Sequence, residues 1–133
     1  MRNTNGPMIS SANAIYKLAV NMAMRMGVQL GKITLEHFTD GELNIVVHET
    51  VRIKDVYLVQ PTCVPVNESP VELLLLVSPM RRSSTRHITA AITYCGTTSQ
   101  NRKMAARVSI LAADVTHLLE AMGVDHSISV DLH

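Results

Sequence analysis

Asp55-Val56-Tyr57-Leu58-Val59-Gln60-Pro61 is the stretch from which the fold can be read. Val56 to Gln60 form a short, nearly continuous apolar run closed by Pro61, without the in-out alternation of a half-exposed strand. That is the pattern of a strand buried on both faces in a parallel sheet. Toward the C-terminus, Asn67 to Ser69 can cap a helix through Pro70, which suits a first turn, and Leu73 to Val77 is apolar all round. Pro79 is expected to kink or end that helix. His87 to Thr93 reads as another strand and Gly96 to Lys103 as a polar loop. A helix then carries Val108, Leu111, Val115, Leu118, Leu119 and Met122 on one face before Gly123. Ser127 to Val130 is the last strand, and Asp131-Leu132-His133 is its exit.

Toward the N-terminus, Leu43 to Val47 and Ile33 to Leu35 read as strands joined by Phe38-Thr39-Asp40-Gly41-Glu42, in which Asp-Gly is a turn signal. Ahead of them, Ile15, Leu18, Ala19, Met22 and Met26 fall at helical spacing behind Ser10, Ser11 and Asn13 as caps, with Gly27 as the stop. Strands and helices alternating at these intervals predict an α/β fold. It has three layers, a mostly parallel sheet with helices on both faces, and an antiparallel hairpin at one edge.

The 133 residues, 47% of them hydrophobic, are enough for one domain with a core and too few for two. A charged fraction of 17% and a net charge of +1 provide no field to draw nucleic acid or an anionic membrane to the surface. The longest apolar run is far below the roughly 20 residues of a membrane span, and no secretory pattern opens the chain. The cytoplasm is the expected compartment. Cys63 and Cys95 are too few for a disulfide framework or a zinc site. His37, His48, His87, His117 and His126 are scattered singly.

Ligands of open parallel sheets bind beyond the carboxyl ends of the strands. Three loops qualify: Pro61 to Asn67, Tyr94 to Lys103, and whatever follows Val130. Asp131 and His133, two residues apart past a strand end, point to one side in extended geometry. They are either a polar strand terminus or part of a magnesium-nucleotide site that substrate phosphates and water complete. Ser99-Gln100-Asn101-Arg102-Lys103, followed by Arg107, leads into a helix N-terminus that favours anions. It suits phosphate, and a solvated basic loop would use the same letters. Phe38, the one phenylalanine in a chain without tryptophan, sits beside Asp40 and Glu42. It is a core or interface anchor, or a ring against which a purine stacks.

In order and spacing these segments resemble ribose-phosphate pyrophosphokinase, also called phosphoribosyl pyrophosphate synthetase, over nearly the whole chain. The resemblance rests on Met26-Gly27-Val28-Gln29-Leu30-Gly31-Lys32, the Phe38 to Glu42 turn, and Glu49-Thr50-Val51-Arg52 leading to Asp55 through Gln60. It continues with Asn67, Glu72-Leu73-Leu74, His87 through Ile92, and Gly123-Val124-Asp125-His126 through His133. The family transfers a diphosphoryl group from MgATP to the anomeric hydroxyl of ribose 5-phosphate. The resemblance implies ATP and Mg2+ as ligands, a homo-oligomer from dimer to hexamer or a hetero-oligomer with related subunits, and no nucleic-acid or membrane partner.

By resemblance, Phe38, Asp40 and Glu42 receive adenine in the site of a neighbouring subunit. Ser99, Gln100, Asn101, Arg102 and Lys103 form the ATP loop, Asp131 and His133 contact metal and triphosphate, and Arg52 and Arg107 fall in a regulatory phosphate region. Ser99 stands where the family has arginine, and Asn101 where it has aspartate. A serine hydroxyl cannot replace the bidentate, charge-assisted grip of a guanidinium on triphosphate. The family's second domain carries the ribose 5-phosphate and pyrophosphate loops and has no counterpart here. The isolated chain is therefore expected to be inactive. Two further readings stay open: a non-catalytic regulatory or associated subunit, and an unrelated α/β binding module.

Overall fold

In the computed structural model of the protein, the described residues are 6–11, 16–62, 68–95 and 111–129. The elements run β1 (Met8–Ser11), α1 (Tyr16–Met26), β2 (Gln29–Leu30), β3 (Ile33–His37), β4 (Leu43–Val47), β5 (Asp55–Thr62), α2 (Glu68–Arg82), β6 (His87–Cys95), α3 (Leu111–Met122) and β7 (His126–Ser129). Five strands form a sheet in the order β2-β1-β5-β6-β7, and every pairing in it is parallel. The order reverses between β1 and β5. With right-handed crossovers, α1 must then lie on one face, and α2 and α3 on the other.

The packing agrees. Val56, Leu58, Ile88, Ala90 and Ile92 meet Leu73, Leu76, Val77 and Met80 of α2 and Leu119 of α3 in the larger core. Ile9 and Val59, pointing the opposite way, meet Ala19 and Ala23 of α1 in a smaller one. Val56, Leu58 and Val59 are at most 1% exposed, so the decisive run is buried on both faces as its composition requires. No helix of the described residues is long and apolar enough to cross a membrane.

Several local expectations are corrected. Ser10 and Ser11 do not cap a helix; they belong to β1, a central strand pairing with both β2 and β5. Ala19 and Ala23 form the buried face of α1, while Leu18 and Met26 are largely exposed, because a close helix-sheet approach favours small residues. α2 continues through Pro79 to Arg82. β5 continues past Pro61 to Thr62, with a register irregularity between Gln60 and Thr62 where proline offers no N–H to the ladder. The hairpin is antiparallel as expected, but β3 and β4 form their own two-stranded sheet rather than an edge of the main one. It packs through Leu35 and, more loosely, Ile33, Leu43, Ile45 and Val47 against the larger core. Ile15, Val108 and Val130 fall outside the described residues.

Helix ends follow one rule. After α1, Gly27 at φ +65° lets its own N–H reach Met24 O and the Val28 N–H reach Ala23 O, a Schellman closure. α3 closes identically, with Gly123 and Val124 donating to Glu120 and Leu119. α2 uses the same bonds around Ser84, a non-glycine residue at φ +59°.

Candidate nucleotide site

The hairpin builds the first candidate edge. His37 faces Leu43 in the ladder, so residues 38–42 must turn the chain within five positions. Gly41 at φ +90° supplies the left-handed step, and its N–H donates to Phe38 O at 2.9 Å. The Phe38 N–H donates to Glu42 O at 2.8 Å, and the Glu42 N–H to Asp40 Oδ1 at 3.0 Å, an Asx turn. The turn chemistry thus fixes the backbone and leaves the side chains outside. Phe38 is 53% exposed, and Asp40 and Glu42 are exposed on the same turn. Phe38 is therefore not an anchor of its own core, which leaves an interface anchor or a ring against which a purine stacks.

Arg52 lies on a second exposed turn. The Lys54 N–H donates to Val51 O at 3.1 Å, and Ile53 adopts φ +59°, where a β-branched side chain is strained. This turn is clasped to the end of α2: the Ile53 N–H donates to Ser84 O at 2.9 Å and the Arg86 N–H to Lys54 O at 3.0 Å. The structure therefore sets the turn that carries Arg52 against Ser84 and Arg86, a neighbourhood that linear spacing did not reveal.

Ser99, Gln100, Asn101, Arg102, Lys103, Arg107, Asp131 and His133 lie outside the described residues. The strands that lead to them are described. β6 and β7 are adjacent and parallel, pairing Ala91 with Ile128 and Ile92 with Ser129. The 99–103 segment and the Asp131–His133 tail accordingly both follow strands that run to the same carboxyl edge of the sheet. Among the described residues no group of three or more His, Cys, Asp or Glu could hold a metal ion. Magnesium bound through one or two protein ligands and substrate phosphates requires no such group.

Two polar clusters missed from the sequence support this frame. Asp125, at the start of the β7 approach, accepts the Ile88 N–H at 2.9 Å and Arg81 Nη2 at 2.8 Å, while Arg81 also donates to Gly123 O. The Ile88 amide, then Arg81, holds the Asp125 carboxyl below the usual carboxylate range. α2, α3 and β7 are locked together at that point. At the start of β5, Asp55 accepts two bonds from Arg86, at 3.0 and 2.7 Å, and pairs with His87 Nδ1 at 2.9 Å. Arg86 first and His87 second lower the Asp55 pKa to about 2. Their sequence signal was only the presence of Asp55 and Asp125 within the family-like islands; the partners are 31 and 44 residues away.

Comparison with known proteins gives the same direction. Residues 7–123 match the family described as the N-terminal domain of ribose phosphate pyrophosphokinase. A ribose-phosphate pyrophosphokinase of Helicobacter pylori is 42% identical over 125 residues, covering 94% of this chain and 39% of the relative. Ribose-phosphate pyrophosphokinase 1 of Spinacia oleracea is 43% identical over 132 residues, covering 99% and 39%. The crystal structure of phosphoribosylpyrophosphate synthetase from Mycobacterium smegmatis superposes with a TM-score of 0.91 at 30% identity, over 96% of this chain and 43% of that one. A purine phosphoribosyltransferase from Pyrococcus horikoshii, at 14% identity and a TM-score of 0.52, shares the fold. The chain spans about 40% of the length of the curated relatives it matches.

Proposed function

Because the chain belongs to the family of the N-terminal domain of ribose phosphate pyrophosphokinase, we propose that it is the ATP-binding half of a phosphoribosyl pyrophosphate synthetase. The observation that carries this reading is the Phe38 turn. Its ring is presented to solvent beside two carboxylates, on a hairpin whose backbone bonds are already satisfied. An aromatic face with adjacent acceptors suits a purine and its amino group. The family resemblance implies that this turn serves a nucleotide held by another copy, and its exposed side chains are free to do so. We assign the triphosphate to Gln100, Arg102, Lys103 and His133, with Ser99 and Asn101 in the same loop. Asp131 and His133 would hold Mg2+, which when bound neutralises phosphate charge. Arg52 and Arg107 are assigned to a regulatory phosphate. The cytoplasm is the proposed compartment, and a homo-oligomer the proposed state.

Diphosphoryl transfer to ribose 5-phosphate depends on positioning and charge stabilisation from both halves of a site. The chain alone should therefore bind nucleotide without turning it over. A second reading is favoured by one specific observation: Ser99 and Asn101 replace an arginine and an aspartate, as a non-catalytic associated subunit would allow. Titration calorimetry with MgATP separates the two. Micromolar binding, about −8 kcal/mol, supports the nucleotide-binding half; no binding by an intact assembly supports the associated subunit. Turnover with ribose 5-phosphate at about 1 per second or faster would overturn the expected inactivity.

A further inference from the structure

A proline inside a helix removes one rung of the backbone ladder and sets its ring against the carbonyl of the preceding turn. α2 carries Pro79 and continues past it to Arg82, so Leu75 O receives no N–H from position 79. Leu75 and Pro79, one turn apart, stand in the wall of a cavity of about 320 Å³ between α2 and β4, partly open to solvent. Leu43 and Ile45 of β4 form the facing wall, where the hairpin packs only partly onto the core. Leu75 is 40% exposed, which leaves apolar surface within reach of an occupant.

 Asn44, Ser78 and Arg82 complete the lining, and no carboxylate belongs to it. The two arginines that end α2 are used differently. Arg81 is taken up by Asp125 and Gly123 O, whereas Arg82 is exposed and makes no ion pair among the described residues. A guanidinium beside apolar walls, with a hydroxyl and an amide near it, suits a planar head of two oxygens. The volume lies at the lower end of the range for small-molecule pockets, about 300–1,000 Å³. A nucleotide would bring several phosphate charges to a single cation, so charge and size both favour a small monoanion.

We propose that this cavity binds a small monocarboxylate with an apolar body, its carboxylate on Arg82 and its body between Leu43, Ile45, Leu75 and Pro79. Ser78 and Asn44 offer the further hydrogen bonds that fix the orientation of the head. Leu43 pairs with His37, the residue that leads into the Phe38 turn, so an occupant rests against the base of that turn. The site is nevertheless separate from the nucleotide reading and stands or falls without it.

Methyl NMR of the full chain with phenylacetate as the probe tests it without nucleotide. Phenylacetate should shift the methyl groups of Leu43, Ile45 and Leu75 with a Kd of about 1 mM, the affinity that about ten non-hydrogen atoms supply. Ile9, sealed under α1, should not move. Benzylamine has the same body and the opposite charge, and should bind about ten-fold more weakly or worse. Arg82→Gln should weaken phenylacetate about five-fold or more, and Arg82→Lys, which keeps the charge, should restore part of the loss. Ser78→Leu places a larger side chain in the cavity wall and should abolish the three shifts. The proposal is overturned by no shift of these methyl groups at about 20 mM phenylacetate, by equal binding of benzylamine, or by unchanged binding to a folded Arg82→Gln. Shifts of the same methyl groups with protein concentration alone also overturn it, in favour of a second copy. If circular dichroism shows Arg82→Gln unfolded, benzylamine and Ser78→Leu decide the matter.

Discussion

Replacing Ile53 by glycine should leave the protein more stable than replacing it by alanine, the reverse of the usual order. Ile53 is held at φ +59° with its N–H bonded to Ser84 O at 2.9 Å, so the turn cannot relax without breaking the clasp to α2. Its side chain is 65% exposed, and both substitutions remove the same few apolar contacts. What differs is the backbone. An L-residue in the left-handed region costs about 1–2 kcal/mol, while the greater unfolded freedom of glycine costs about 0.5–1 kcal/mol. Glycine should therefore lead by about 0.5–1 kcal/mol, or about 2–4 °C in Tm for a domain of this size. Urea unfolding followed by far-UV circular dichroism measures the difference as a shift in midpoint at constant slope. An alanine variant more stable than the glycine variant would refute the strain assigned to this turn.

Ser84→Gly should stabilise the end of α2 by about 0.5–1 kcal/mol for the same reason, read as a rise in urea midpoint. Asp55→Asn should destabilise the fold by about 1 kcal/mol at neutral pH, after allowance for solvent screening of a partly exposed cluster. The Asp55 pKa is depressed from 3.8 to about 2, so this stabilisation is fully present above the unfolded value and is lost as pH falls through the folded one. Wild type and variant should converge across that interval, measured by urea midpoints in the two pH regimes. Phe38→Ala should change stability by no more than about 0.5 kcal/mol, because the ring is largely exposed. It should weaken MgATP binding about ten-fold or more, measured by calorimetry on the assembled protein.

The alternation of strand and helix was legible because burial on both faces leaves an uninterrupted apolar run, and Val56 to Gln60 carries one. The hairpin was legible from Asp40-Gly41, whose turn chemistry is local. β1 was not: four residues ending in two serines look like a helix cap, and only pairing with β2 and β5 makes them a central strand. The exposure of Leu18 and Met26 was likewise hidden, since periodicity identifies a helix but does not say which of two adjoining apolar stripes meets the sheet. At the candidate site, Phe38 to Glu42 was readable as a turn. The Asp55 and Asp125 clusters were not, because their partners arrive from distant segments of the chain.

Mixing two damaged copies tests whether the proposed nucleotide site is shared between copies. Phe38→Ala removes one proposed edge and His133→Ala the other, so each variant alone should bind little MgATP. Mixed in equal amounts and allowed to exchange subunits, they should regain about one quarter of the wild-type sites, since each site draws its two edges independently from the two variants. Recovery of no sites in a mixture shown to have exchanged, or undiminished binding by Phe38→Ala alone, would contradict it.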